Sequence, residues 1–314
     1  MKSYKIGSRI FTFYKSSLQK EFTYKKNKNY LFCLSNLSIL SIYGKQSFNM
    51  LQSQLTCNLN KINLNLMQKG TICNERGQIS SCLDIIFWKN FHLILSNDML
   101  KEVNILLKVP ALLSNVKIKN QNKYYIYGFY LVNKQDLLPF HSSLLLNIKQ
   151  NKIIKTKNLF CYPINKKLFI LIIYKKNKDI IINDFKQSNQ IKGSLSWHRL
   201  QIENKIFSIC KETTKIFTPN KLNLLPSQYI SLNKGCYKGQ EIINKLFYKS
   251  KKKYFLKHFI IKKKDKPFPG KKFFDLKNIE LGKFVDICPI SYSKYLTLVS
   301  INTNKKIYSI KLEK

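Results

Sequence analysis

The segment from Lys234 to Glu241, Lys-Gly-Cys-Tyr-Lys-Gly-Gln-Glu, constrains the local fold more than any other part of the chain. Its two glycines, Gly235 and Gly239, permit backbone conformations and close approaches that a Cβ atom would forbid. The apolar residues that follow lie at helical spacing: Ile242, Ile243, Leu246 and Phe247. This periodicity predicts an amphipathic helix. The octapeptide is therefore predicted to be a loop that enters this helix, with Gln240 and Glu241 in its first turn.

Cys236 is the candidate reactive side chain of this loop. The first N–H groups of a helix are unpaired and lie at the positive end of its dipole, and Lys234 and Lys238 add positive charge. Such surroundings favour the thiolate over the thiol. The alternative, a buried and inert cysteine in a helix-entry loop, stays open because buried free cysteines are common.

The octapeptide resembles the signature Lys-Gly-Cys-Tyr-x-Gly-Gln-Glu of the YgfZ family. These are folate-binding proteins related to the glycine-cleavage aminomethyltransferase and to a mitochondrial iron–sulfur assembly factor. Segments before the motif follow in the family's order and spacing: Phe217-Thr218-Pro219, Asn223-Leu224 and Ile230-Ser231. Further upstream, the strand, glycine turn and helix that open the family's folate-binding lobe are matched by Ile42-Tyr43-Gly44, Leu51-Gln52 and Leu55-Thr56. The resemblance extends from Leu37 to the C-terminus.

The resemblance implies an α+β fold with aminomethyltransferase-like folate-binding lobes and a small C-terminal β-barrel. We expect a basic N-terminal extension at 1–30, the folate-binding lobes at 31–248 and the barrel at 249–314. After the motif helix the chain carries several short strand patterns separated by turns, which are typical of a small barrel.

The resemblance also implies tetrahydrofolate as the cofactor. Trp197, in Trp-x-x-Leu-x-Ile-Glu, matches a family tryptophan that contacts the folate ring, and stacking on a flat heterocycle suits an indole. Packing in the core is the alternative for Trp197. Arg76, in an Arg-Gly turn, is a candidate for ligand or partner contact, or else a solvated turn residue. The other candidate binding residues are those of the octapeptide: Lys234, Gly235, Tyr237, Gly239, Gln240 and Glu241.

The chain departs from the family pattern at two places. Residues 204–207 stand where the family often has Ala-Gly-x-Pro, and Leu37 takes the place of a second folate-associated tryptophan. We therefore expect an altered pocket or a reduced affinity for folate.

Hydrophobic periodicity and turn residues predict alternating strands and helices in the first half of the chain. The predicted strands are 37–43, 70–74, 78–88, 91–96, 116–118 and 124–132, with a hairpin turn at 75–77. One helix is predicted around 48–55. A second begins after Asn97 or Asp98 and is expected to end before Pro110, because proline disrupts a helix interior.

In the second half, a strand is predicted at 167–174, followed by a polar loop at 175–189. A helix is predicted around Trp197. Beyond the motif helix, the sequence predicts a solvated basic run at 249–253 and strands at 254–262, 284–287, 295–301 and 306–312.

The net charge of +40 is extreme for 314 residues. A field of this sign attracts RNA, DNA, an anionic membrane surface or a polyglutamylated cofactor. Only three of the 56 basic residues are arginine, although arginine binds phosphate in a bidentate manner and lysine does not. The abundance of Lys, Asn, Ile, Tyr and Phe is also typical of an AT-rich genome. The charge is compatible with tRNA contact through the basic surface but does not establish it.

The eight cysteines contain no Cys-x-x-Cys pair, so we expect no metal site held by this chain alone, and a reducing compartment. The longest apolar run, 168–174, is too short to span a bilayer, and we expect no membrane partner. The first twenty residues are basic, as in a mitochondrial presequence, but have no clear cleavage site. We expect an uncleaved extension on a bacterial cytoplasmic protein, with the mitochondrial matrix as the alternative location.

The resemblance implies a folate-binding accessory protein that supports iron–sulfur enzymes of tRNA modification, in particular methylthiolation. A non-catalytic role is favoured over an enzymatic one. Cys236 would act as a thiol at the edge of the folate pocket. The alternatives are a mitochondrial iron–sulfur cluster assembly factor and a folate-dependent aminomethyltransferase, which needs an acid or base that the sequence does not reveal. A basic RNA-binding protein is a further alternative, which steep salt dependence and indifference to folate would distinguish.

Overall fold

The computed structural model describes residues 1–142, 144, 152–156, 159–225, 227–249, 254–262, 266–291, 293–301 and 310–312. The predicted basic run lies outside these residues except for Lys249, as does the predicted strand 306–312 except for its last three residues.

The helices and strands are numbered in chain order. The strands are β1 (Lys2–Ile6), β2 (Arg9–Phe13), β3 (Tyr30–Cys33), β4 (Leu37–Tyr43), β5 (Gln68–Cys73), β6 (Ile79–Trp88), β7 (Asn90–Ser96), β8 (Lys117–Gln121), β9 (Tyr124–Tyr130), β10 (Ile154–Lys155), β11 (Leu159–Pro163), β12 (Leu168–Tyr174), β13 (Ile191–Gly193), β14 (Phe255–Lys262), β15 (Lys272–Phe274), β16 (Glu280–Ser291), β17 (Lys294–Ile301) and β18 (Lys311–Leu312). The helices are α1 (Leu18–Glu21), α2 (Ser47–Gln54), α3 (Leu100–Leu113), α4 (Lys178–Gln187), α5 (Ser194–Glu203) and α6 (Gln240–Lys249).

The strands form three larger sheets and one hairpin. The first sheet has the antiparallel order β5-β6-β7-β4-β8, and the second has the order β10-β11-β12-β9-β3-β13, in which β13 runs parallel to β3. The third is antiparallel, in the order β14-β17-β16-β15-β18, with β14 and β18 at its edges in the part of the chain that the structure describes. Strands β1 and β2 pair only with each other among the described residues.

The first two sheets pack face to face, and helices cover their outer faces, which gives four layers. Between these sheets lies a core that includes Phe32, Ile86 and Tyr162. Helices α2 and α3 cover the outer face of the first sheet, whereas α4 covers that of the second, where Phe185 contacts Phe129 edge-on. Alternating residues of a strand point to opposite faces of its sheet. Because each of these sheets is covered on both faces, both sets of side chains are buried.

The N-terminal hairpin and the third sheet share a core around α5. Arg9 of β2 forms two hydrogen bonds with the carboxylate of Asp286 in β16, at 2.9 and 2.6 Å, and both side chains are buried. The first strands of the chain therefore pack directly on the C-terminal sheet. The boundaries expected at 30/31 and 248/249 stay predictions.

Most predicted elements are confirmed, and two predictions are wrong. Helix α3 continues past Pro110 to Leu113, and its last turn buries Ala111 against the sheet. The predicted polar loop 175–189 contains helix α4, whose Ile181, Ile182 and Phe185 form one buried face. The sequence predicts no strands before 37, where the structure has β1 to β3. No helix in the described ranges is long and apolar enough to cross a membrane.

Candidate functional site

Trp197 lies on α5, beside the core between the two larger sheets. Its side chain is 2% exposed, and the Phe32 ring is 5.4 Å away. Strand β9 approaches the indole at Gly128, where a Cβ atom would lie 2.4 Å from the ring. Trp197 is thus a core residue, and it also forms one wall of a cavity.

The inner cavity, as we call this space, has a volume of about 70 Å³. It is lined by residues of β2, β4, β5, β6, β7, β12 and α5 and of the loop after α5, and it has room for about five water molecules. Leu37 lies in its wall, at the position where the family resemblance implies a tryptophan. Its polar lining comes mainly from six side chains: Arg9, Asn36, Lys69, Asp84, His198 and Gln201.

Two buried N–H donors in the wall of the inner cavity have no hydrogen-bond partner among the described residues. They are Nε1 of Trp197 and Nε of Arg9, whose other guanidinium nitrogens bind Asp286. The buried Oδ1 of Asn36 is also unpartnered. Buried polar atoms are nearly always paired with protein or water. The three residues that carry these atoms line the cavity, so each brings one buried, unpartnered polar atom close to it.

Asp84 supplies a buried carboxyl group to the same cavity. It lies on β6 directly opposite Lys69 of β5, and the hydroxyl of Tyr162 donates a hydrogen bond to it at 3.0 Å. Burial raises the pKa of Asp84, although Lys69 and Tyr162 act in the opposite direction. Asp84 is not among the site residues predicted from the sequence. The signal available in the sequence was an acid within the apolar second half of a predicted strand.

His198, the neighbour of Trp197, ties α5 to the third sheet. Its Nε2 is 2.8 Å from the carbonyl of Ile287 and 3.3 Å from the carboxylate of Asp286. Burial alone would raise the pKa of Asp286, but the charge of Arg9 and the hydrogen bonds from Arg9 and His198 overcome burial and lower it. The wall of the cavity is thus fastened by a buried ion pair.

The octapeptide forms a separate feature, the motif loop (residues 234–241), which packs on the C-terminal end of α2. The ammonium of Lys234 donates to the carbonyls of Gln52, Leu55 and Cys57, at 2.5, 2.6 and 2.9 Å. Burial lowers the pKa of Lys234 to about 8, so the side chain still carries charge at pH 7. This charge faces the backbone of the α2 region, and Lys234 acts as a clamp for the loop.

Further contacts of the motif loop lie within the loop itself and with the turn 74–77. Gln240 accepts a hydrogen bond from the N–H of Tyr237 at 3.2 Å, and Tyr237 is buried. Gly239 has a φ of +82°, and a Cβ atom there would lie 2.4 Å from the carbonyl oxygen of Asn74. Lys238 pairs with Glu75 in the same turn, at 3.3 Å.

Cys236 is exposed, whereas the other cysteines are buried or half-buried in the part of the chain that the structure describes. Gly235 beside it has no atom within 4 Å of the position a Cβ would take. Arg76 in the neighbouring turn and Glu241 in the first turn of α6 are also exposed. All three side chains are thus accessible at the surface, and the alternative of a buried cysteine does not hold for Cys236.

The structure does not bring Trp197 and the motif loop together in one pocket. No residue of 234–241 lines the inner cavity in the described ranges. The connection between them is the segment before the loop: Tyr229 lines the cavity, its carbonyl accepts a hydrogen bond from Thr56, and Ser231 donates its N–H to the carbonyl of Thr56. The expectation of a thiol at the pocket edge stays a prediction.

One group of possible metal ligands lies elsewhere in the described residues. Atoms of Asp98, Cys210 and Glu212 are within 4.8 Å of one another. Asp98 accepts hydrogen bonds from the N–H of Lys211 and from two serine hydroxyls, and Glu212 accepts the N–H of Ser8. These carboxylates therefore have protein donors, and their role is to hold the N-terminal hairpin.

The chain is similar in sequence to curated bacterial proteins. It is 26% identical over 234 residues to the tRNA-modifying protein YgfZ of Buchnera aphidicola subsp. Schizaphis graminum, covering 71% of this chain and 70% of that protein. It is 29% identical over 240 residues to the protein of the same name from Buchnera aphidicola subsp. Acyrthosiphon pisum, with the same coverage. No protein-family model matches the chain. The resemblance to the YgfZ family is confirmed.

The fold is similar to that of the glycine cleavage system aminomethyltransferase T from Bartonella henselae. The superposition has a TM-score of 0.71, covers 96% of this chain and 86% of that structure, and has 12% sequence identity. At this identity the similarity concerns the fold alone. The expected α+β, aminomethyltransferase-like architecture is confirmed.

Proposed function

We propose that this protein, with its resemblance to the YgfZ family, is a folate-binding accessory protein of tRNA modification, and that the inner cavity holds the ring of tetrahydrofolate. The observation that carries the proposal is the pair of buried, unpartnered N–H donors, Trp197 Nε1 and Arg9 Nε, in the wall of one cavity. A site of this kind fits a small polar heterocycle, because a guest with acceptor atoms would satisfy both donors.

The lining residues fit a pterin ring in chemistry. The edge of a pterin has both donors and acceptors. Asp84 accepts hydrogen bonds from donor groups when ionised and donates one when protonated, whereas Arg9 and Trp197 serve acceptor atoms. The indole face of Trp197 adds apolar contact.

The motif loop would act separately from this cavity. Cys236 lies on the surface, where a partner protein can reach its thiol, and the clamp at Lys234 holds the loop that presents it. We propose that Cys236 is the reactive thiol through which the protein supports iron–sulfur enzymes of tRNA modification, as the family resemblance implies. The names of the curated relatives support the tRNA-modification part.

The test is a titration of the purified protein with tetrahydrofolate. The chain has two tryptophans, so a Trp88→Phe protein reports on Trp197 alone by fluorescence. We expect saturable quenching in this protein. Calorimetry on Trp197→Phe should show about fivefold weaker binding, since a stacked aromatic contact is worth about 1 kcal/mol beyond its buried area. Cys236→Ala should bind as the unsubstituted protein does. Absence of binding by the unsubstituted protein would sink the folate proposal.

A second candidate function, folate-dependent one-carbon transfer, is favoured by Asp84. Such a reaction needs an acid or base at the folate, and Asp84 is a buried carboxyl group in the cavity wall with a raised pKa. Incubation with 5,10-methylenetetrahydrofolate and an amine acceptor tests this function. Turnover that Asp84→Asn abolishes supports a transferase, and its absence under conditions of saturated binding supports the accessory role.

Contact with tRNA through the lysine-rich surface is a further part of the proposal. The charge of +40 favours binding of a polyanion. Filter binding of unmodified tRNA over a range of salt concentrations should show a steep decrease of affinity with salt. Binding of equal strength to any RNA duplex would indicate that the charge gives no selectivity.

A further inference from the structure

Helix α3 carries apolar residues on two faces. One face, with Val103, Leu107 and Ala111, is buried against the first sheet. The other face carries an apolar stripe that is open to solvent. The stripe consists of Ile105, Val109, Leu112 and Leu113, which are 57, 61, 78 and 82% exposed. Counted from the first of them, these residues lie at i, i+4, i+7 and i+8, along one side of the helix. The other helices in the described ranges each expose at most one large apolar side chain, such as Ile180 of α4.

A groove lies beside this stripe, between α3 and the segment that leads into the edge strand β8. Its volume is about 520 Å³. Its apolar lining consists of Ile105, Ala111, Leu112, Val116 and Ile118. Ile105 and Leu112 belong to both the stripe and the groove, so the two form one apolar surface, which we call the α3 surface. Exposed apolar surfaces that polar residues surround mark interaction sites on soluble proteins.

The charges at the α3 surface are positive. Lys101 and Lys108 line the groove, and no acidic side chain lines it in the part of the chain that the structure describes. The one acid of α3, Glu102, pairs with Lys215 at 2.7 Å. An apolar surface with cations at its edge is complementary to an apolar stripe that carboxylates flank.

Charge and shape decide between the possible occupants of this surface. A second copy of this chain would bring the same lysines against one another, which is unfavourable. Addition of a strand to β8 is opposed by the exposed Lys117 and Lys119, because lysines on an edge strand discourage pairing with another chain. The side chains that project from a helix fill a concave groove, whereas the flat surface of a bilayer does not.

We propose that the α3 surface binds a partner protein through an amphipathic helix whose apolar stripe is flanked by aspartate or glutamate. Aliphatic side chains of the partner helix enter the groove beside Leu112. Lys101 and Lys108 are seven positions apart, or about 10.5 Å along α3, and they pair with carboxylates two turns apart on the partner. The proposal does not depend on folate binding, so the failure of one leaves the other intact.

The test measures the binding of labelled helical peptides to the full chain by fluorescence anisotropy. The acidic probe has about 20 residues, long enough to be helical by itself, with leucines at i, i+3, i+4 and i+7 and glutamates beside them. The scrambled probe has the same composition, with its leucines spread around the helix. We expect the acidic probe to bind about tenfold more tightly than the scrambled probe. Equal binding of the two shows general attraction to a basic protein and overturns the proposal, as does absence of binding.

Leu112→Gln tests the apolar part of the surface. Glutamine is a good helix former, and the position is exposed, so the variant stays folded, which thermal unfolding checks. We expect its affinity for the acidic probe to fall by about fivefold or more, as for an anchor residue of an interface. The matched control is Ile180→Gln, which removes an exposed apolar side chain of α4 and should retain full affinity. Equal losses in the two variants overturn the proposal.

Lys108→Gln tests the charged part of the surface. The affinity for the acidic probe should fall by about twofold to fivefold and should depend less on salt, because exposed ion pairs contribute modestly and are screened. The matched control is Lys245→Gln, which removes an exposed lysine of α6 that does not line the groove. If Lys245→Gln weakens binding as much as Lys108→Gln does, the total charge attracts the probe and the proposal is overturned.

Two further measurements distinguish the other occupants. Sedimentation equilibrium over a range of protein concentrations detects a second copy, and flotation with vesicles of phosphatidylglycerol and phosphatidylcholine detects a membrane. We expect Leu112→Gln to change neither measurement. If Leu112→Gln abolishes self-association or vesicle binding while it binds the acidic probe as the unsubstituted protein does, the surface belongs to that occupant and the proposal is overturned.

Discussion

The inner cavity and the motif loop hold their key side chains in opposite ways. Around Trp197, residues from separate parts of the chain meet in a buried space, and a buried ion pair fixes the wall. Around Cys236, eight consecutive residues form a loop that exposes the thiol, and Lys234 fastens this loop to backbone carbonyls of the α2 region. The cavity is thus built by tertiary packing and the loop by local geometry, and substitutions in the two regions should differ accordingly.

The largest effect is expected from Asp286→Ala, which breaks the ion pair behind the cavity. It leaves Arg9 buried without its partner, so we expect the free energy of unfolding to fall by about 3 to 5 kcal/mol. The pKa of Asp286 is lowered in the folded protein. Its contribution is therefore present above the ordinary value of 3.8 and is lost as the pH falls below it. Urea unfolding at several pH values measures both the loss of unfolding free energy and its dependence on pH.

The matched variant in the loop region is Lys238→Ala, which breaks the exposed pair with Glu75. Exposed ion pairs contribute little, so its free energy of unfolding should change by at most about 0.5 kcal/mol. Equal losses in Asp286→Ala and Lys238→Ala would remove the distinction between a buried and a surface framework.

The next largest difference in stability is expected between two glycine variants, one beside the cavity and one in the motif loop. Gly128→Ala places a Cβ against the indole of Trp197, and overpacking of this kind costs about 1 to 3 kcal/mol. Gly235→Ala meets nothing within 4 Å and should change stability by less than about 0.5 kcal/mol. Thermal unfolding and near-ultraviolet circular dichroism of the two proteins check this. A Trp197 signal that Gly128→Ala leaves unchanged would mean that the indole is not held by β9.

Local patterns allowed prediction of the loop and helix but not of the cavity. The motif loop, α6 and the helix of Trp197 follow from spacings within about ten residues. Arg9, Lys69 and Asp84 come from three separate segments, and each is ordinary in its own sequence context. Lys234 illustrates the same limit, since its sequence neighbours indicate a charge near Cys236, whereas its long side chain reaches three carbonyls of another segment.

A smaller effect is expected from Lys234→Met, which removes the clamp and keeps the length of the side chain. The carbonyls of Leu55 and Cys57 lose a donor, and an unsatisfied half-buried acceptor costs about 1 kcal/mol or more. We expect faster hydrogen exchange at the N–H of Lys238, which donates to the carbonyl of Ser53, because the loop detaches from α2. Folate binding should be retained. Weaker folate binding in this variant would show that loop and cavity are coupled.

The smallest structural effect and the most selective functional one are expected from Cys236→Ala. An exposed side chain that carries no packing can be removed with a change of less than about 0.5 kcal/mol, and the distant cavity should bind tetrahydrofolate as before. Methylthiolation of tRNA in cells that depend on this protein should nevertheless be lost, because the thiol is the group that a partner can reach. Cys73→Ala is the control, since it removes a buried thiol and should reduce stability without removing function. Normal methylthiolation with Cys236→Ala would leave the motif loop a purely structural element, and the activity would then have to come from the cavity alone.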